Sequence, residues 1–423
     1  MANQVAHDKM CTLWEKTAET TSMNMTLSKD LDVYQMGGMA NKDQTGSADD
    51  TNFGTGEGDV EFIPQEYRFI VKDGVETTDG DFQDVIDRMI PANRKLAFNV
   101  PATIKAKELQ DPNRVQRVVK GFARDIANKI DLVCYNKMIE QSTMFISSDT
   151  KFDFQDAIDA ETLMLNRGLS AFDRKLFLSN KHYAAVAKEL GQASREVFTG
   201  DAISRARIPD LATFQTMRSD YLINVVGNGT TGVTVNGADQ DHTVTTYKAD
   251  GFYQDNRSQL LTMAGISAAT FPVGTKFTIA GVNALHPETR EDTGELLEFT
   301  VIEANATTPR IQPAIVTLTG ATPQFANATA APADSAVVTV LNKKLDAPSL
   351  FYTPESTVII PGQVPVIGDG VATQSLTTEN GIPMTMIYWY DAHKMQYNMK
   401  AVFNFDVQVL YPNMLGAIYA NQA

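Results

Sequence analysis

Only two cysteines, Cys11 and Cys134, occur in 423 residues. They lie far apart in helix-like surroundings, which excludes a disulfide framework and a zinc pattern. The five histidines, His7, His182, His242, His286 and His393, show no metal-ligand spacing, and HExxH is missing. There is no Gly-x-Ser-x-Gly nucleophile elbow. GTGEG at 54–58 lacks the Lys-Ser/Thr ending of a phosphate loop and leads into acid rather than a helix. Asp79, Asp81 and Asp84 in TTDGDFQD miss the spacing of a calcium loop and its closing glutamate. No apolar run nears the roughly 20 residues of a membrane helix. MANQVAHDKMCTLWEK lacks a basic start followed by an apolar run, so no secretory signal is expected and a reducing cytoplasm is the expected compartment. The sequons at Asn24, Asn228, Asn305 and Asn327 then carry no meaning.

Positive charge is also in short supply. Lys and Arg total 36 against 51 Asp and Glu, a net charge of -15. Such a surface repels nucleic acid at long range, favours solubility at high concentration and argues against a dedicated DNA or RNA binder. The length suits two or three compact units, and the 43% apolar content suffices for a sizeable core.

What is present is organised. NRVQRVVKGFARDIANKIDLVCYNKM, residues 113 to 138, repeats apolar residues at three- and four-residue spacing: Val115, Val118, Val119, Phe122, Ile126, Ile130, Val133, Cys134 and Met138. Asp111 or Asn113 can cap its start. The spacing predicts a helix over 113–142, roughly 45 Å long at 1.5 Å per residue. Arg117, Lys120 and Arg124 form a basic stripe on another face, Asp125 and Lys129 are expected to pair, and Gly121 is the weak point. The stripe lacks interleaved aromatics, so salt bridging or solvation explains it better than nucleic acid.

Residues 8–22 predict an amphipathic helix with Met10, Cys11, Trp14 and Ala18 on one face. Residues 37–60 read as a polar loop. EFIPQEYRFIV and LAFNVPATIK read as strands, so 45–80 is expected to be a long two-stranded arm with a polar tip, needing a partner to be ordered. FDFQDAIDAETLMLNRGL (152–169) reads as a helix, KLFLSN as a strand and HYAAVAKEL as a helix. From about 222 to 345 short strand candidates recur: LINVV, GVTVN, HTVTTY, KFTIAGV, LEFTVIEA, AIVTLTG and AVVTVLN. They indicate a small β-sandwich or barrel inserted into a host domain. STVIIP, PMTMIYWY and KMQYNMKAVFNFDVQVLYP then return to strands. Within TYKADGFYQDNRSQ (246–259), Lys248, Asp250, Asp255 and Arg257 place both signs on one loop. Such a patch can pair with its own copy across a two-fold axis.

In this order the parts resemble the major capsid protein of tailed bacteriophages, and more closely the coat proteins of short-tailed phages infecting enteric bacteria. The best local matches are AKELQDPNRVQRVVKGFARDIANKIDL, FDFQDAIDAETLMLNRGL and VGTKFTIAGVNAL. The resemblance implies an α+β fold, the tailed-bacteriophage major capsid fold, carrying an inserted all-β barrel or Ig-like domain. Residues 1–30 would be the N-arm. Residues 31–149 would be the first part of the peripheral domain, with extended loop 45–80 and spine helix 113–142. The axial domain would take 150–221 and 346–392, the insertion domain 222–345, and 393–423 would return to the peripheral domain. The implied function is a shell subunit forming homo-pentamers and homo-hexamers around double-stranded DNA, assembled in the host cytoplasm and located in the virion. Scaffolding and portal proteins are the implied partners. DNA is enclosed without specific binding, and no membrane, catalytic residue, metal or cofactor is expected. Glu15 and Glu19 occupy the region where relatives meet the scaffold, and the 246–259 loop matches their inter-capsomer contact. Two rivals are a cell-surface adhesin, which lacks an export signal here, and an enzyme with a β-barrel accessory domain.

Overall fold

A computed structural model describes residues 2–34, 60–71, 74, 82–93, 97–105, 107–108, 111–193, 210–219, 224–248, 251–362, 372–378 and 380–422. In chain order the elements are α1 (Ala2–Asn24), β1 (Asp32–Val33), β2 (Val60–Pro64), β3 (Met89–Asn93), β4 (Ala97–Lys105), α2 (Pro112–Gln141), β5 (Met144–Ser147), α3 (Phe154–Asn166), β6 (Lys175–Leu178), α4 (Asn180–Ala193) and β7 (Gln215–Arg218). There follow β8 (Val233–Val235), β9 (Gln259–Leu260), β10 (Met263–Ala264), β11 (Lys276–Leu285), β12 (Asp292–Glu303), β13 (Arg310–Gln312) and β14 (Val337–Val340). The chain closes with β15 (Ser349–Tyr352), β16 (Thr357–Gly362), β17 (Ala372–Thr377), β18 (Pro383–Asp391), β19 (Gln396–Val409) and β20 (Leu415–Tyr419). Most of the arm expected at 45–80 lies outside the described residues, as do GTGEG, Asp79, Asp81 and Asp250. Of the strand expected at EFIPQEYRFIV only Val60–Pro64 forms, as β2, and its partner β3 (Met89–Asn93) lies beyond the expected arm; residues 65–71 are irregular.

The chain divides into two compact units. The first gathers Met1–Phe62, Pro91–Asn136 and Thr357–Gln408. Its sheet runs β1-β16-β19-β18-β17, with β4 also paired to β19. Residues 396–403 of β19 have an antiparallel partner on both sides, β18 and β4. Alternation puts Met399, Ala401, Phe403, Phe405 and Val407 inside. α2 starts as expected: Asp111 accepts from the Asn113 amide at 3.0 Å and Pro112 occupies the first helical position. The Asp125–Lys129 pair does not form as expected. Asp125 meets Arg124 at 3.5 Å, and Lys129 lies 4.8 Å over the Phe98 ring, where its stem is covered and its charge faces the π cloud.

The N-terminal segment is held by one carboxylate. Asp131 of α2 is fully buried and accepts four bonds. Its Oδ2 takes Thr26 N at 2.9 Å and Thr26 Oγ1 at 2.8 Å, and its Oδ1 takes Ser28 N at 2.9 Å and Ser28 Oγ at 2.5 Å. Four donors replace the water the carboxylate has lost. Met10, Leu13, Trp14 and Ala18 of α1 are buried, while Glu15 and Glu19 stay exposed on the other side.

The second unit gathers Ile63–Ile90, Lys137–Ser356 and Val409–Ala423. Its host sheet is β5-β20-β15-β6-β7. α3 is capped by a reciprocal pair, Asp153 and Asp156, and packs Ala157, Ala160 and Met164 into a core with Leu176, Phe214, Phe351 and Ile418. Gly416 in β20 is required, since a Cβ there would lie 2.0 Å from Phe351 Cζ.

The inserted module hangs from a neck where Val225 and Asp346 bridge, Val225 N donating to Asp346 O at 2.8 Å. Its sheet runs β10-β8-β14-β11-β12-β13-β9, every pairing antiparallel. The first and last strands in that order, β10 and β9, are separated only by Leu261 and Thr262. The sheet must therefore curl on itself as a barrel, around Phe271, Phe277, Phe299, Val301 and Ile311. HTVTTY and AIVTLTG, expected as strands, are irregular. Asparagine side chains replace their ladders: Asn256 Oδ1 accepts Thr245 N at 3.2 Å, and Asn327 bonds Val316 N at 3.0 Å and Ala314 O at 2.7 Å.

Replacing Asp131 by Asn removes acceptor capacity against four donors. The expected loss is about 2 kcal/mol, read as a lower urea midpoint, with faster proteolytic cleavage between residues 24 and 31. An unchanged midpoint and cleavage pattern would refute the anchoring role.

Candidate functional site

The described residues hold no constellation arranged around an open reactive cleft. What they hold is buried polar joints, and the most developed lies where the barrel meets its host. Lys276, the first residue of β11, is 1% exposed. Its Nζ donates to Ile139 O at 2.8 Å and Ser142 O at 2.5 Å, and lies 2.8 Å from Ser142 Oγ and 2.9 Å from Thr300 Oγ1. Both hydroxyls donate elsewhere: Ser142 Oγ to Ile139 O at 3.0 Å, Thr300 Oγ1 to Ser142 O at 2.5 Å. Their lone pairs are thus free for the ammonium, which has three protons for four acceptors. Ile139 O is one of the final carbonyls of α2, which the helix itself cannot satisfy, and a cation at a helix C-terminus is favourable. Burial drags the Lys276 pKa well down, against the nearby carboxylates of Glu140 and Glu298.

Glu298 lies two residues before Thr300 on the same face of β12. Its carboxylate accepts the Phe145 amide at 2.9 Å and lies 4.0 Å from the Arg167 guanidinium, with 14% of the side chain exposed. Burial raises its pKa to about 7, opposed by Arg167 and the Phe145 N–H. Asn166 adds a 3.2 Å bond to Glu295. The joint therefore fixes the barrel to the end of α2, to β5 and to α3 through polar contacts. Around Lys276 every acceptor is engaged, so that end of the joint offers no vacant position for a substrate.

A second cluster has the composition of a catalytic triad without its access. His182 Nδ1 lies 2.7 Å from Ser349 Oγ and its Nε2 3.2 Å from Asp346 Oδ2. Ser349 Oγ accepts Ser179 N at 3.0 Å, and Asp346 Oδ2 also accepts Ala420 N at 2.8 Å. The ring stacks on Phe152 at 4.9 Å. The three residues are 3%, 0% and 4% exposed, so no acyl group can approach the serine. The cluster is a clasp joining α4, β15 and the C-terminal segment. Among the described residues, no group of His, Cys, Asp and Glu could hold a metal ion.

The charged residues singled out from sequence fall in three places. Glu15 and Glu19 are exposed on α1, and Arg117, Lys120 and Arg124 are exposed on α2. In the barrel loop, Asp255 and Arg257 are paired with each other, Nη2 to Oδ2 at 2.8 Å and Nε to Oδ1 at 2.9 Å, and Arg257 Nη1 also bonds Val409 O. Lys248 is exposed beside them, and Asp250 is outside the described residues. Lys248 and Asp255 help line a groove of about 640 Å³ that includes His242 and Arg310. Burial lowers the His242 pKa, opposed by Asn256 and by Asp241 and Asp255.

Sequence reasoning missed Asp131, Lys276 and Glu298. Lys276 shares a strand face with Thr278, and polar residues on alternating positions read as a solvent face. Nothing in that pattern marks the face as covered.

Glu298 makes stability pH-dependent. Its folded pKa is raised from 4.5 to about 7, so the folded state holds this proton more tightly than the unfolded chain. Its stabilisation is full below about pH 4.5 and is lost as pH rises through about 7, by up to about 3 kcal/mol. Urea midpoints measured at pH 5 and pH 8 should fall for the wild type and fall less for Glu298→Gln. Equal falls in both proteins would contradict this assignment.

No curated protein matches the chain. Among solved structures, the CUS-3 coat protein I-domain is 36% identical, covers 28% of this chain and 100% of its own, and gives a TM-score of 0.23. The bacteriophage PhiM1 mature capsid is 8% identical over 87% of this chain and 83% of its own, with a TM-score of 0.42. The virus-like particle from Pyrococcus furiosus is 9% identical over 96% and 97%, with a TM-score of 0.36. The family model described as "P22 coat protein - gene protein 5" matches residues 13–419, nearly the whole sequence, and the chain therefore belongs to the P22 coat protein family.

Proposed function

We propose that this coat-protein chain is the major subunit of an icosahedral shell, arranged as pentamers and hexamers around double-stranded DNA. A scaffolding protein guides its assembly in the bacterial cytoplasm, and a portal protein joins the shell. The observation that carries the reading is the family match over residues 13–419. The proposed role is structural rather than enzymatic, which membership of a coat protein family supports. A net charge of -15 suits a wall that must not grip packed DNA.

The division into N-arm, peripheral, axial and insertion domains is part of the proposal, as are the contact residues. α1 is supported on one side and presents Glu15 and Glu19 on the other, which suits a basic scaffold segment. Arg117, Lys120 and Arg124 form an exposed edge suited to an acidic neighbour. In the barrel loop, Asp255 and Arg257 hold each other in a fixed orientation beside exposed Lys248, and this loop, whose sequence also contains Asp250, carries both signs for a neighbouring capsomer. Each contact is weak, and many sum across a shell.

Expression of the chain alone and with a scaffold, followed by sedimentation and negative-stain microscopy, tests the shell reading. Uniform shells with scaffold, and aberrant tubes or spirals without it, are expected. A monodisperse monomer under both conditions would overturn it. Reversing both acids (Glu15→Lys with Glu19→Lys) should give misassembled particles when scaffold is co-expressed, while the unfolding free energy of the free chain stays within about 1 kcal/mol of wild type, as for exposed sites. Normal particles from that double variant would remove α1 from the scaffold contact.

A further inference from the structure

In a chain this acidic, the second unit contains a cavity dominated by arginine. It has a volume of about 170 Å³, and its charged lining is Arg68, Arg88, Arg167, Arg257, Glu66 and Glu298. Two of the arginines are already matched: Arg257 by Asp255, and Arg167 by Glu298 at 4.0 Å. Arg68 and Arg88 remain, and Glu66 is the other carboxylate of the lining. Burial lowers the Arg88 pKa to about 10, the charge of Arg68 lowers it further, and Tyr411 and Glu66 oppose the fall. Arg290 also feels Arg68.

Arg88 is held in place without being satisfied. Its guanidinium lies 4.6 Å over the Phe325 ring and its Nη2 donates to Glu66 O. Its Nε is buried and has no hydrogen-bond partner among the described residues. A buried guanidinium N–H without an acceptor is unfavourable, and an occupant bearing oxygen lone pairs removes that defect. Arginine's planar fork is the side chain best matched to oxyanions. The volume exceeds several-fold the roughly 15 Å³ that one water requires.

We propose that this cavity binds a single tetrahedral oxyanion of the phosphate or sulfate class, with Arg68 and Arg88 as its principal donors and Arg167 as the outer charge. The ligand is a free ion rather than a carboxylate of another copy, because the lining comes from one compact unit of one chain and the cavity is small. Binding goes beyond the shell reading and is independent of it.

The test is calorimetric titration of the full-length chain with sodium phosphate at pH 7, against sodium chloride at matched ionic strength and against sodium acetate. Saturable binding of one phosphate per chain is expected, weakened roughly tenfold or more in Arg68→Gln, the loss of one charge-assisted hydrogen bond. Lys394→Gln, exposed in the turn between β18 and β19, should bind as wild type does. Arg88→Gln should match Arg68→Gln, and if it does not fold, Arg68→Gln decides alone. Phosphate behaving like chloride overturns the proposal, as does binding unaltered in Arg68→Gln. Tighter binding of acetate than of phosphate overturns the choice of a tetrahedral ion.

Discussion

The last turn of a helix leaves carbonyls that must find donors, and at the end of α2 water is replaced by one ammonium group. Lys276 reaches Ile139 O and Ser142 O from the first residue of β11. That demand ties the barrel to its host more specifically than an apolar patch could. Hydrophobic contact tolerates sliding, whereas a buried cation with four acceptors has one acceptable position. Glu298 and Thr300, on the next strand, lie on the same face and complete the joint. The inserted module is therefore positioned by polar geometry as well as by its neck at Val225 and Asp346.

The same device recurs in the first unit. Asp131 gathers Thr26 and Ser28 with both their amides and their hydroxyls, which fixes where α1 ends relative to α2. In each case a charge is taken out of water and surrounded by enough partners to offset its desolvation, so removal of one partner costs more than the pair contributes net. If the exposed charges serve the proposed contacts with neighbours, they are not needed to hold the chain together. Anchoring its own segments with buried ones keeps the two tasks on different residues.

Several elements are legible in the order of residues alone. The 3.6-residue period of Val119, Ile126, Ile130 and Met138 marks out α2 to within one residue at each end, and the alternation in KMQYNMKAVFNFDVQVLYP marks out β19. The irregular segments HTVTTY and AIVTLTG mislead because β-branched content signals extended chain whether or not a backbone ladder follows. Asn256 and Asn327 take the ladder's place there, and a side-chain substitution of that kind leaves no periodic trace. Asp255 and Arg257 are visible as part of a charged loop. That they turn on each other is not, because a separation of two residues says nothing of side-chain direction in a loop.

Sequence alone determined the helical and strand content, the acidic balance, the inserted β region and the lack of a recognisable catalytic motif. These follow from local order, since periodicity and turn chemistry act over a few residues. Only the tertiary structure decided which polar residues are buried and with what. Lys276 finds Ile139 across 137 positions, Asp131 finds Thr26 across 105, and His182 finds Ser349 across 167. A lysine or aspartate reads as a surface residue until the fold covers it, because its cost in the interior depends on partners that chain proximity does not supply.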